Sequence, residues 1–152
     1  MSLLMRTDLG DLTLTLRPDA APVTVEYIKK CAASGLYNGR EFYRSDFVIQ
    51  CGLHGSSVQN PHGNLPVNET SSGAQITNGP GTCAIAHWDV PDCGNTEFFI
   101  NLKANSHLDT AYGGYCVFAE VTPEGMRNVV PKIAAAVAGG QNTRIIEVQV
   151  VA

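Results

Sequence analysis

From residue 10 to residue 17 the chain alternates strictly, with Leu12, Leu14 and Leu16 apolar and Asp11, Thr13, Thr15 and Arg17 polar. A period of two is that of a strand with one buried face. Asp8-Leu9-Gly10 has turn chemistry and pairs this strand with residues 3 to 7 as a hairpin. Pro22 opens an expected helix to about Ser34. Val23, Tyr27, Ile28, Cys31 and Ala32 recur at helical spacing within it, and Gly35 stands as its C-terminal stop. Residues 42 to 50 read as strand. Residues 51 to 81 are rich in Gly, Asn, His, Ser and Pro and read mostly as loop. Further strands are expected at 82–86, 97–102, 115–121 and 144–151. Strands dominate, and the two helical stretches lie far apart. This is the pattern of an antiparallel barrel or sandwich, between which it does not choose.

Composition narrows the function classes. The 152 residues are 44% hydrophobic and 16% charged, which suits one domain spanning 1–152 with a real core. A net charge of −4 and a pI of about 5.4 imply no nucleic-acid surface. Apolar runs fall far short of the ~20 residues of a membrane span. The apolar stretch in MSLLMRTDLG is shorter than the roughly 7–15 residues of a secretory signal. A cytoplasmic monomer is therefore the default expectation, with no membrane association. Cys31, Cys51, Cys83, Cys93 and Cys116 are odd in number and irregularly spaced, as expected of free buried thiols. Asn68-Glu69-Thr70 matches a glycosylation acceptor and reads as an accidental match.

The run EFYRSDFVIQCG (41–52) poses the functional question, because Arg44 interrupts an aromatic strand. A solvated outer face is the plain explanation. Several segments point elsewhere. Phe42-Tyr43-Arg44, then Ser45-Asp46, then Phe47-Val48-Ile49-Gln50-Cys51-Gly52 resembles the Phe-His-Arg, turn, Phe-Met-x-Gln-Gly-Gly signature of the cyclophilins, the cyclosporin-binding peptidyl-prolyl isomerases. GPGTCAIAH (79–87), TEFFIN (96–101), HLD (107–109), GYCVFAEV (114–121), GLYNG (35–39) and the N-terminal hairpin and helix match in order and spacing. The resemblance covers essentially the whole chain and is closest to the bacterial type.

The resemblance implies a mainly β fold, an eight-stranded antiparallel β-barrel closed by two α-helices, with the active groove on the outer wall. It implies isomerisation of X-Pro bonds without nucleophile, metal or cofactor, and proline-containing peptides and proteins as partners. By the same resemblance Arg44 is the catalytic donor, and Phe47, Val48, Phe99 and Leu108 form the proline pocket. Gln50 and the backbone at Ala86 hold the peptide, and Tyr115 frames the pocket's edge. An always-charged donor suits a twisted amide whose nitrogen gains a lone pair.

The departures from the family pattern bear on the same residues. The turn between Arg44 and Phe47 is two residues shorter. Glu97 stands for Gln, where it would pair with Arg44, hold it, or compete with substrate. His87 stands for Asn or Arg, Cys51 for Gly, and Leu53 for Asp or Gly. His107 replaces an aromatic, often Trp, that contacts cyclosporin, so cyclosporin binding is expected to be weak.

Two rival readings stay open on sequence. One is a non-catalytic proline-peptide-binding module on the same fold, with Arg44 misplaced by the short turn. The other is a metal site from Cys51, His54, Cys83, His87 and Cys93, which strand alternation disfavours. One local expectation concerns Pro131, which would cost about 3 kcal/mol in a helix interior. The second helix is therefore expected to start late, with Asn128 as N-cap and Pro131 in its first turn.

Overall fold

A computed structural model describes residues 1–71, 75–87 and 94–152. The alternating leucines form β2 (Gly10–Leu16), paired antiparallel with β1 (Ser2–Thr7) across the Asp8-Leu9 turn. Helix α1 (Pro22–Ala33) ends at Ser34, and Gly35 follows at φ 73°, the left-handed stop expected of it. The chain continues through β3 (Glu41–Ser45), β4 (Val48–Gly52), β5 (Thr82–Ile85), β6 (Phe98–Asn101) and β7 (Val117–Val121). Helices α2 (Pro123–Asn128) and α3 (Val130–Ala138) precede β8 (Thr143–Val151). The strands close into an antiparallel barrel in the order β1-β2-β7-β5-β6-β4-β3-β8. Helix α1 packs on β7 and β8, while α2 and α3 pack on β2, β3 and β8.

Two expectations need correction. Residues 42 to 50 are a tight hairpin of β3 and β4, not one strand. The Asp46 carboxylate accepts from the Val48 N–H at 3.1 Å and its own N–H bonds the Val48 carbonyl, so Asp46 makes the turn that the alternation concealed. The second helix does not start late. A regular turn already runs from Pro123 through Met126 and Asn128, opened by Thr122, whose hydroxyl accepts from the Gly125 N–H at 3.4 Å. The backbone breaks at Val129 (φ −120°, ψ −51°), and Pro131 then lies in the first turn of α3, where its missing N–H costs nothing. Thr122-Pro123 is itself a helix start signal, and the reading from Pro131 overlooked it.

Within the described residues of the loop from 53 to 81, the Glu69–Ser71 turn matters most. Helix α1 has no side-chain cap of its own, and Glu69 supplies one from across the chain. The Glu69 carboxylate, 4% exposed, accepts from the N–H groups of Val23 (3.1 Å) and Thr24 (2.6 Å) and from the Thr24 hydroxyl (2.7 Å). A carboxylate there meets both the orphan donors and the positive end of the helix dipole. Asn68 and Thr70 donate to the carbonyls of Gly114 and Gly113, so this triplet ties the loop to the 106–114 segment.

The barrel interior is filled by Leu3, Met5, Leu12, Leu14, Phe42, Ile49, Phe98, Ile100, Phe118 and Ile145, all fully buried. Cys31, Cys51, Cys83 and Cys116 are buried free thiols, as expected, and burial pushes each pKa up. Cys93 lies outside the described residues.

Candidate functional site

Alternation gives the barrel wall two faces, and both are apolar over β4, β5, β6 and β7. Ile49, Cys51, Cys83, Ile85, Phe98 and Ile100 point inward. Val48, Ala84, Phe99 and Val117 point outward and, with Leu108, form a second buried cluster. The register makes it continuous: Gln50 lies opposite Phe99, Phe99 opposite Ala84, and Ala84 opposite Val117. Phe47, Ala86 and Tyr115 pack at its rim. A groove of about 630 Å³ opens over this floor. Arg44, Phe47, Val48, Gln50, Ala86, Phe99, Leu108 and Tyr115 all line it, so every residue expected at the site is brought together.

The position of Arg44 follows from a β-bulge. The β3–β4 register shifts between Phe42 and Arg44, leaving Tyr43 unpaired while Arg44 lies opposite Gln50. Simple alternation would send Tyr43 and Arg44 to opposite faces. With the extra residue, both line the groove. Arg44 Nε donates to Asp46 Oδ2 (2.9 Å), and Nη1 donates to Gln50 Oε1 (2.9 Å). The guanidinium carbon lies 5.4 Å from the centroid of the Phe47 ring. The shortened turn therefore does not carry Arg44 away from the pocket. Its Asp46 grips the arginine from one side while Gln50 grips it from the other. Nη2 makes no hydrogen bond among the described residues.

The aromatic wall is held from behind. The Phe47 carbonyl accepts from Leu102 N (3.1 Å) and Asn105 Nδ2 (3.0 Å), and the Phe47 ring meets His107 edge-on at 5.5 Å. Asn105 also donates to Asn101, Asn101 to Asn78, and Asn78 to Asp109 and to the Tyr115 carbonyl. A buried polar chain thus links both sides of the pocket. Burial opposes the charge of Asp109, but hydrogen bonds from Thr77 and Asn78 outweigh it and hold the carboxyl below its ordinary range. The Tyr115 ring stacks on His87 at 4.1 Å and meets Phe99 edge-on at 5.7 Å. Ala86 N donates to the Glu97 carbonyl at 2.9 Å, while the Ala86 carbonyl makes no hydrogen bond among the described residues.

Glu97 does not bond Arg44. Its carboxylate accepts from Leu53 N (3.0 Å), His54 N (3.0 Å), Thr96 Oγ1 (2.8 Å) and Tyr43 Oη (3.0 Å). Sequence reasoning missed Tyr43 and much of the lining from the 53–60 loop, including His54, Val58 and Asn60. A Tyr where the family signature has His was the available signal for the first. The loop residues carry no pattern. The metal reading finds no support in the placement of its described residues, Cys51, His54, Cys83 and His87. Cys51 and Cys83 face the interior at 0% exposure, His54 packs on the Tyr43 ring outside, and His87 lies on Tyr115. Among the described residues no three His, Cys, Asp or Glu side chains stand where they could hold a metal.

Comparison with known proteins agrees with this geometry. The sequence model of the cyclophilin type peptidyl-prolyl cis-trans isomerase/CLD family matches residues 2–151. A peptidyl-prolyl cis-trans isomerase of Acinetobacter baylyi is 34% identical over 135 residues, covering 86% of this chain and 70% of that protein. Peptidyl-prolyl cis-trans isomerase B of Escherichia coli is 35% identical over 141 residues, covering 88% and 84%. Among solved structures, a cyclophilin type isomerase of Cryptosporidium parvum, crystallised in the presence of the dipeptide Ala-Pro, superimposes with a TM-score of 0.75 over 100% of this chain and 99% of its own. At 17% identity that likeness speaks for the barrel alone.

Proposed function

The chain belongs to the cyclophilin-type peptidyl-prolyl cis-trans isomerases and is an isomerase of X-Pro peptide bonds, and from that premise we propose that Arg44 is its catalytic donor. The observation that carries this is the guanidinium held over Phe47 by Gln50 and Asp46, with Nη2 unspent among the described residues.

The chemistry requires little else. Rotation about the prolyl C–N bond is opposed by a barrier of ~18–20 kcal/mol set by amide resonance. At the top of that barrier the nitrogen is pyramidal and carries a lone pair. A catalyst must bind that twisted state better than either planar isomer. The proline ring lies on the floor of Val48, Phe99 and Leu108, with Phe47 and Tyr115 as walls. Arg44 then donates from Nη2 to the prolyl nitrogen or its neighbouring carbonyl, where a charged donor in a partly dry groove acts strongly. The Ala86 carbonyl, unengaged among the described residues, and the remaining N–H of Gln50 hold the peptide backbone. No proton is transferred and no bond is broken.

Proline-containing peptides are the partners this reading implies, in keeping with the dipeptide Ala-Pro in whose presence the Cryptosporidium parvum protein was crystallised. Cyclosporin binding is weak in this proposal, since His107 lies edge-on to Phe47 and offers a small ring. A cytoplasmic monomer is the proposed state. Among the described residues no helix is long and apolar enough to cross a membrane. Titration of isotope-labelled protein with a short Ala-Pro peptide tests the site. The expected outcome is exchange-broadened signals from Arg44, Phe47, Ala86, Phe99, Leu108 and Tyr115. Perturbation confined to the other side of the barrel would overturn it.

A further inference from the structure

Glu97 and Tyr43 stand where the family signature has Gln and His, and the structure joins the two substitutions. Tyr43 Oη donates to Glu97 Oε1 (3.0 Å), Gln50 Nε2 donates to Tyr43 Oη (2.8 Å), and Arg44 Nη1 donates to Gln50 Oε1 (2.9 Å). The direction of each bond follows from one end. A carboxylate accepts and does not donate, so the tyrosine hydroxyl must spend its proton on Glu97. Its lone pairs then face Gln50 and take the amide N–H. The amide oxygen is left toward Arg44, the only orientation that attracts a guanidinium. With no fixed acceptor at the far end, the hydroxyl is free to turn. The Gln50 amide is then oriented by Arg44 alone, and the pair loses the fixed end that holds the guanidinium in one place.

The backbone makes room for the carboxylate. A Cβ on Gly52 would stand 2.3–2.4 Å from the Glu97 carboxyl atoms, and Gly52 has φ +150°, which side-chain-bearing residues rarely adopt. The N–H groups of Leu53 and His54 hold the same carboxylate from the far side. Burial pushes the Tyr43 pKa up, with Glu97 adding to it, so the hydroxyl keeps its proton.

We propose that Glu97, acting through Tyr43 and Gln50, is a positioning residue that orients Arg44 toward the proline pocket. This rests on Arg44 being the catalytic donor. Glu97 and Tyr43 act through Gln50 on Arg44, the residue proposed to carry catalysis.

The test uses Tyr43→Phe, which cuts the relay and leaves Glu97 seated on Leu53, His54 and Thr96, with Glu97→Gln as a second variant. Thermal melting, isomerase kinetics on a short X-Pro peptide, and the Arg44 side-chain nitrogen resonances are measured for each. The expected result is a fall in kcat on the order of 10-fold with KM nearly unchanged, as misorientation produces. The Arg44 Nη resonances, distinct in the parent, should average as the guanidinium rotates faster. Variants that melt lower yet keep parental kcat and Arg44 signals would overturn the proposal and leave Glu97 a structural anchor for the 53–54 loop. A rise in KM alone would also overturn it. Arg44→Ala run in parallel separates the premise: if it keeps full activity, the catalytic assignment itself fails, whatever Tyr43→Phe does.

Discussion

Phe98 and Phe99 are neighbours on β6 whose roles the barrel wall divides, and replacing each by Ala should have opposite consequences. Phe98 is 0% exposed inside the barrel, edge-on to Tyr37 at 5.6 Å and to Phe118 at 5.7 Å. Removing it leaves an enclosed cavity, and such truncations cost about 3–5 kcal/mol. At roughly 2–4 °C per kcal/mol for a chain this long, the melting temperature should drop by roughly 10 °C. Phe99 is nearly as buried at 3%, but its outer side adjoins the open groove. Water can fill the space it vacates, so its truncation should cost about half as much stability. Its loss falls on substrate instead. If the proline ring covers on the order of 80 Å² of apolar surface there, about 2 kcal/mol is lost, or roughly 30-fold in kcat/KM. Melting curves and a coupled isomerase assay, with activity scaled to folded protein, separate the two. If Phe99→Ala melts as low as Phe98→Ala and isomerises normally, the assignment of inner and outer faces is wrong.

Gly52→Ala should destabilise by on the order of 3 kcal/mol, because its methyl group displaces the Glu97 carboxylate from charged hydrogen bonds. Denaturant titration should show that added cost shrinking in a Glu97→Ala background. Cyclosporin should inhibit weakly, and His107→Trp should strengthen inhibition by enlarging the apolar contact beside Phe47. Nanomolar inhibition of the parent would refute that. Asp109 is held below the ordinary carboxylate value of 3.8, so its stabilising contribution is present above that pH and is lost as pH falls through its depressed folded value. Asp109→Asn should therefore melt below the parent at neutral pH, with the gap closing below about pH 4.

The sequence showed most of what period and punctuation control. The leucines of β2, the Pro22 and Gly35 limits of α1, and the order of the strands were legible because side-chain period and turn chemistry are local. The family signature made the barrel and the residues that line the groove legible together. What escaped depended on geometry between elements. A β-bulge at Tyr43 leaves no mark on composition, yet it puts two consecutive side chains in one groove. The destination of Glu97 was visible as a charge beside an arginine, but only the fold shows that Leu53, His54 and Tyr43 take it first. Glu69 was hidden in a glycosylation-like triplet because its partners lie more than forty residues away on α1. The helix at Pro123 escaped for a different reason: Pro131 bars one continuous helix, but the Thr122-Pro123 start signal permits a separate turn before it.

The central claim is that Arg44 carries catalysis without holding the fold. Its ion pair with Asp46 is exposed, 41% and 45% at the two side chains, and such pairs contribute at most about 1 kcal/mol. The direct measurement is kcat/KM of Arg44→Ala and Arg44→Lys on a short X-Pro peptide, beside their melting temperatures. Losing a preorganised donor to a transition state typically costs about 10²–10³ in rate. The expected result is a loss of that size in Arg44→Ala, little recovery in Arg44→Lys because an ammonium lacks the planar fork, and melting within a few degrees of the parent. Isomerase activity near the parental level in a folded Arg44→Ala would contradict the account.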